Sequence, residues 1–384
     1  MKHKNQFIFV LGPHRSGTSL VASALHSLGV NLGSRFIDPN NDNPKGFFED
    51  EKIVQFNDRL LRSMNLSWDS FGFIWEEDFT APRFKPYHKA AVSLVLERFS
   101  DSSISGLKDP RFCILLPFWK RVISEALDAE VSYVLGIRDP DQCVLSQKAR
   151  HIKDSDFHLL GRRNVQPLLL WWTYLYRALV EVDPEHLVIV NYTSLVETPE
   201  LELQRLARLL DVEPSQMQIE SFCRDHVEPL LNRSKNLGKV ERRHGPLLWS
   251  FADTLYKRLL ALSWNNVILS KDFAGMLEGL DTRQLESLYL EELQYMEGYA
   301  YRKVISLRHR LIYTIHELGG EHVKQRDLHT EYDALLNQHQ SLTKGYDALL
   351  NQHQSLTEAH EIVLNTRGWK LLTVLRRWVS WPFS

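Results

Sequence analysis

The chain has no excess of either charge: 46 lysines and arginines stand against 48 aspartates and glutamates. A protein-wide positive field of the kind that gathers nucleic acid is thereby excluded, and any anion site has to be local. Cysteine is scarce. Cys113, Cys143 and Cys223 are odd in number, far apart and without metal-ligand spacing, so neither a disulfide framework nor a zinc site is indicated and a reducing compartment is expected. Long apolar runs are missing as well. The run that opens at Phe7 meets Gly12 too soon to form the core of a signal peptide, and no apolar stretch is long enough to span a bilayer. The expectation is a soluble, cytoplasmic body.

What is present reads as globular, 43% hydrophobic and 24% charged, and 384 residues suffice for one large α/β domain with appendages or for two domains. Phe7 to Leu11 is a continuous apolar run ended by Gly12, the pattern of a strand buried on both faces. Leu20, Val21, Ala24, Leu25 and Leu28 then fall at helical spacing, with Gly29 as the stop. After a loop rich in Asn, Asp and Pro from Asp38 to Gly46, the spacing of Ile53, Phe56, Leu60 and Leu61 predicts a helix over Glu49 to Leu61. Strands near Ile104 to Leu107, Val131 to Ile137 and Leu187 to Val190 alternate with helices after Pro117, Pro140 and Pro167. That order predicts a three-layer α/β fold with a parallel sheet and crossover helices over residues 1–240, followed by a helical completion over 241–318.

The C-terminal part changes character. Tyr332 to Thr343 recurs as Tyr346 to Thr357, a period of fourteen residues or two heptads. With Tyr332, His339, Tyr346, His353 and His360 at a, and Leu335, Leu342, Leu349, Leu356 and Val363 at d, a coiled coil over 319–363 and a homo-oligomer are expected. The polar a layer and Gly345 weaken that pairing. Residues 364–384 carry Arg367, Lys370, Arg376 and Arg377, three tryptophans and no acidic residue, a basic amphipathic tail suited to an anionic membrane surface.

Chemistry concentrates first in Gly12-Pro13-His14-Arg15-Ser16-Gly17-Thr18-Ser19, between a buried strand and a helix. A loop so placed aims backbone N–H groups and the positive helix end at an anion. Gly12 and Gly17 keep the spacing of a Walker A loop, but Thr18 stands where the lysine belongs. The substitution favours a less charged transferring group than a phosphoryl, one that Arg, Lys and hydroxyl donors can handle. On these residues the loop resembles the 5′-phosphosulfate loop of Golgi and bacterial sulfotransferases, which use 3′-phosphoadenosine 5′-phosphosulfate and have a P-loop-like fold.

Further matches lie downstream. Arg138-Asp139-Pro140 with Ser146 is similar to the family's strand-end arginine and helix serine, which hold the donor's 3′-phosphate. Lys108, in Gly106-Leu107-Lys108-Asp109-Pro110-Arg111, resembles the lysine that stabilises charge on the transferring group. Tyr192 resembles a tyrosine near the donor nucleotide, although Thr193 and Ser194 replace the acidic pair that follows it there. Arg233 lies where related enzymes close a basic loop over the nucleotide; a solvated surface turn is the other reading. Phe47-Phe48-Glu49 resembles the aromatic-aromatic-Glu segment of bacterial members and implies Glu49 as the base, against the alternative of a first-turn glutamate that favours the helix dipole. Arg111 either binds an acidic acceptor or pairs with Asp109. Trp68, Trp75, Trp171, Trp172 and Tyr174 are either a sugar platform or core.

The resemblance implies transfer of a sulfuryl group to a hydroxyl or amine with Glu49, Lys108 and Arg15 at the reacting centre, the donor as co-substrate and no metal. Asn365-Thr366-Arg367-Gly368-Trp369-Lys370 is similar to ends that follow coiled coils in bacterial surface-polysaccharide glycosyltransferases. This implies a bacterial enzyme acting on a surface glycan or lipid-linked sugar at the inner face of the membrane, with no nucleic-acid partner. A P-loop kinase and a non-catalytic scaffold of polysaccharide assembly are the competing readings.

Overall fold

Strand β1 spans Asn5–Leu11, and its residues Phe7 to Leu11 are all fully buried, as a strand covered on both faces must be. The computed structural model describes residues 5–348 except 41–42, 72–73, 101, 154–159, 228–239, 265–272 and many positions from 274 onward. Two compact units are present, Met1–Tyr289 and Leu290–Ser384. The coiled-coil a and d positions and the tail from Thr366 lie outside the described residues.

In the first unit the elements run β1, α1 (Thr18–Ser27), α2 (Glu51–Arg62), α3 (Lys85–Phe99), β2 (Ile104–Lys108), α4 (Phe112–Ala126), β3 (Ala129–Ile137), α5 (Pro140–Lys153), α6 (Val165–Glu181), β4 (Leu187–Asn191), α7 (Tyr192–Glu197), α8 (Pro199–Leu209), α9 (Gln216–Asp225) and α10 (Pro246–Leu262). The sheet is parallel in the order β2-β1-β3-β4, with Phe9 opposite Leu107 and Val10 opposite Val134. Its two faces are filled differently. Ile8 and Val10 join Val21 and Leu25 of α1, Leu203 of α8 and Phe222 of α9 in one apolar cluster. On the other face Phe7 meets Phe99 of α3 at 5.7 Å and Phe9 meets Phe112 of α4 at 5.4 Å between ring centroids. Three layers result, and each large aromatic in them contributes about 3–5 kcal/mol against truncation to alanine. From β1 the chain crosses outward to β2 and from β3 it crosses the other way to β4, so the loops leaving the C-terminal ends of β1 and β3 diverge and open a crevice there.

Three helix starts differ from the sequence pattern. Helix α2 opens at Glu51, because Asp50 takes the capping position and its Oδ1 accepts the backbone N–H of Lys52 at 3.0 Å and Ile53 at 3.3 Å. Glu49 therefore stands outside the helix, and the first-turn reading of it is overturned. Helix α4 begins five residues before Pro117 and carries it inside. Its first two turns, Phe112 to Trp119, are buried on every side, and that packing outweighs the roughly 3 kcal/mol that an interior proline costs. Helix α6 starts at Val165, with Pro167 in its first turn, where a missing N–H is tolerated. Among the described residues no helix is long and apolar enough to cross a membrane.

Candidate active site

The loop after β1 is shaped by contacts that only glycine permits. Gly12 has φ 145°, and a Cβ there would lie 2.6 Å from the Gly136 carbonyl oxygen on β3. Gly17 has φ 92°, and its Cβ would lie 2.3 Å from the Tyr192 ring. The Gly12 N–H donates to Cys113 Sγ at 3.1 Å, which fastens the loop to α4. Arg15 sits between them at φ 69°, a region costly for a side-chain-bearing residue. Two distant residues hold it there: Arg138 Nη1 donates to the Arg15 carbonyl at 3.1 Å, and Arg15 Nε donates to Ser146 Oγ at 2.9 Å. No side chain caps α1, whose N-terminus follows Gly17 directly. The uncapped N-terminus of α1 and the guanidinium groups of Arg15 and Arg138 thus stand together, groups of a kind that can receive an anion.

Arg138 leaves the end of β3 almost fully buried, with its guanidinium 4.2 Å from the Tyr192 ring centroid. Its Nε donates to Gln142 Oε1 at 3.1 Å. Tyr192 therefore closes the loop at Gly17 and supports Arg138 at once.

Beside the loop, Lys108 at the end of β2 is 3% exposed and donates to Glu49 Oε1 at 2.5 Å and to Ser19 Oγ at 3.2 Å. Glu49 is held in place by its own backbone, whose carbonyl accepts the Ile37 N–H at 2.9 Å. Burial pushes the Glu49 carboxyl above its ordinary value of 4.5, while Lys108 pulls the other way and Asp109 adds to the rise. Behind them Asp109, fully buried, accepts from Asn57 Nδ2 at 2.9 Å and from the Arg111 guanidinium at 3.0 Å. Arg111 also pairs with Asp58 at 3.0 Å, so the pairing alternative for Arg111 is realised.

His14 packs against aromatic side chains at the edge of the loop. Its ring packs against Trp68 at 4.8 Å and Tyr174 at 5.2 Å, and its Nε2 has no hydrogen-bond partner among the described residues. Burial first, then Arg111, Arg150, Lys108 and Arg15, hold its pKa well below 6.5, so the imidazole is neutral. It shapes the loop without adding charge.

One cavity of about 600 Å³ gathers these groups. His14, Arg15, Gly17, Thr18 and Ser19 line it from the first loop, Glu49 and Lys108 from one side, and Arg138, Ser146 and Tyr192 from the other. Gly12 and Ser16 lie buried behind the loop rather than on the wall, and Arg233 falls outside the described residues. Trp68 reaches the wall, whereas Trp171, Trp172 and Tyr174 are core, which removes them from any platform; Trp75 is 47% exposed and off the wall. Asn43, Lys45, Arg150 and His226 also line the cavity, unforeseen from the sequence. Only Arg150 had a local signal, lying one helical turn beyond Ser146 on α5.

Parallel strands, a lysine-free phosphate-type loop and a second arginine-bearing loop define the fold class of a P-loop-like α/β transferase. The sulfotransferase family matches residues 7–216, more than half of the chain, and the chain belongs to that family. Among solved structures it is similar to the sulfotransferase domain from the Synechococcus PCC 7002 olefin synthase, at 16% identity and TM-score 0.35 over 73% of this chain and 96% of that one. It is likewise similar to the sulfotransferase domain from the curacin biosynthetic pathway, at 17% identity and TM-score 0.36 over 72% and 97%. No curated protein matches it.

Proposed function

We propose that this sulfotransferase takes its sulfuryl group from 3′-phosphoadenosine 5′-phosphosulfate and delivers it to a hydroxyl of a surface glycan or lipid-linked sugar. The observation that carries the reading is Lys108, whose ammonium meets the hydroxyl of Ser19 in the anion loop and the carboxylate of Glu49 together. In this reading Lys108 would stabilise charge and Glu49 would accept the proton, in a cavity that Arg15, Arg138 and Ser146 also line. The residues fit the donor: glycines where a Cβ would obstruct the loop, and cations at both anion positions. Arg138 and Ser146 would take the 3′-phosphate, and the loop from Gly12 to Ser19 the 5′-phosphosulfate.

In the reaction an acceptor oxygen attacks sulfur in line with the bond to the phosphate. The new O–S bond forms as the old S–O bond breaks, and its electron pair leaves with adenosine 3′,5′-bisphosphate. Glu49 takes the acceptor proton, while Arg15 and Lys108 stabilise the sulfuryl oxygens and the bridging oxygen. The glycan acceptor rests on the tryptophan-bearing basic end of the sequence. Thermal-shift titration separates this donor from a nucleoside triphosphate: adenosine 3′,5′-bisphosphate should stabilise the chain by about 2.7 kcal/mol at a hundredfold excess over Kd. ATP with magnesium should not. Stabilisation by ATP alone, or by neither, would sink the donor assignment, and failure of labelled sulfate to enter a membrane glycolipid fraction would sink the acceptor.

A further inference from the structure

The donor loop and the segment that presents Glu49 are joined by one side chain. Asn43 Nδ2 donates to Ser19 Oγ at 3.0 Å and to the Gly46 carbonyl at 2.6 Å. Its backbone N–H is fixed in turn by Asn40, whose Oδ1 accepts it at 3.1 Å. Ser19 Oγ also accepts from Lys108 Nζ at 3.2 Å, and Lys108 reaches Glu49. Asn43, Ser19, Lys108 and Glu49 therefore form a ring that the backbone from 43 to 49 closes. That backbone is far from its intrinsic preference, since Gly46 has φ 91° and Phe48, with a side chain, has φ 55°. A segment bent in this way keeps its shape only where its surroundings hold it.

We infer that Asn43 is a positioning residue for sulfuryl transfer, coupling occupancy of the donor loop, through Ser19, to the segment that presents Glu49. The inference rests on the proposed donor and base. A hydroxyl has two acceptor positions and one proton. In Ser19 both acceptor positions are engaged, by Asn43 and Lys108, so its proton is directed elsewhere, and Ser19 lines the anion cavity. An anion that accepts that proton polarises the hydroxyl and strengthens the bonds it receives, including the one from Asn43. Asparagine suits the task because its amide supplies two N–H groups from a short, planar side chain; aspartate supplies none and alanine has no polar atom.

Hydrogen exchange on the full chain, with and without adenosine 3′,5′-bisphosphate, tests the coupling. In the wild type the ligand should slow exchange in peptides covering both 12–20 and 43–50. In Asn43→Ala the slowing at 12–20 should persist, with Kd changed by less than about threefold, while that at 43–50 disappears. Release of adenosine 3′,5′-bisphosphate from the donor, with water as acceptor, should fall about tenfold in kcat with the donor KM little changed. Asn43→Asp, isosteric and folded by its Tm, should show the same loss. Slowing at 43–50 that survives in both variants, slowing confined to 12–20 in the wild type, or parallel loss of affinity and turnover would each overturn the role. Silence at both segments in the wild type would instead defeat the donor assignment beneath it.

Discussion

Replacing Glu49 by glutamine separates proton transfer from packing. The residue is 8% exposed, and glutamine keeps its volume and one carbonyl acceptor for Lys108 while removing charge and basicity. A positioned general base contributes about 10²–10⁴-fold, so release of adenosine 3′,5′-bisphosphate from the donor should fall by that factor in kcat. Affinity for adenosine 3′,5′-bisphosphate should hold or rise, because a carboxylate beside an anion site has been removed. Breaking a buried ion pair outright costs about 3–5 kcal/mol; the retained carbonyl keeps Glu49→Gln at or below the lower end, read as a modest drop in Tm. The pH dependence supplies the sharper readout. Burial raises the Glu49 carboxyl above 4.5, against the pull of Lys108, and a base works ionised. Activity should therefore climb with pH through a window above the ordinary carboxylate range. Stability runs the opposite way: between the ordinary and the raised value the folded chain holds a proton that the unfolded chain has released. This contribution is full below the ordinary value and is lost as pH rises through the raised one. Both slopes should flatten in Glu49→Gln. Turnover within about tenfold of the wild type, with an unmoved acid limb, would refute Glu49 as the base.

Three further changes probe the cradle. Gly17→Ala puts a methyl group 2.3 Å from the Tyr192 ring at φ 92°, and isothermal titration should find affinity for adenosine 3′,5′-bisphosphate reduced at least tenfold, at about 1.4 kcal/mol per decade. Ser146→Ala removes the acceptor for Arg15 Nε, a bond to a charged group worth about 1.5–3 kcal/mol, and should weaken the same affinity by roughly ten- to a hundredfold. An unchanged Kd in either variant contradicts the geometry of the loop. Burial pushes the Cys113 and Cys143 thiols up to about 12, so iodoacetamide at pH 8 should leave both unmodified in the folded chain, and mass spectrometry of the native protein checks this.

What could be read from the sequence divides along physical lines. The form of the loop after β1 is legible because its requirements are local: glycines at fixed spacing after a fully apolar strand. Lys108, Arg138 and Tyr192 are legible as residues at the ends of strands, and the fold brings them to one cavity with the loop, Arg15 bonding to Ser146 across 131 residues. Contacts between segments were not legible. Asp50 and Glu49 are adjacent acids, yet one caps α2 and the other reaches Lys108, a difference set by where the preceding segment enters the helix. Helix α3 leaves little trace in the sequence, because only Ala91, Val95 and Phe99 of its fifteen residues are buried, a sparse apolar stripe.

The same division explains why donor and acceptor separate in this protein. On the proposed reading, donor recognition would use backbone N–H groups and strand-end cations, which a short motif encodes. The part of the cavity around Trp68 is built where distant segments meet: Trp68 packs against the His14 ring at 4.8 Å, Arg150 approaches the Trp68 ring at 5.6 Å, and Tyr174 of α6 donates to the Trp68 carbonyl. No single stretch of chain specifies that part, so it can vary while the donor loop stays the same. Trp68→Ala is accordingly expected to change which acceptors are sulfated while leaving adenosine 3′,5′-bisphosphate affinity in place. Loss of donor affinity in that variant would show that the two parts are one recognition surface.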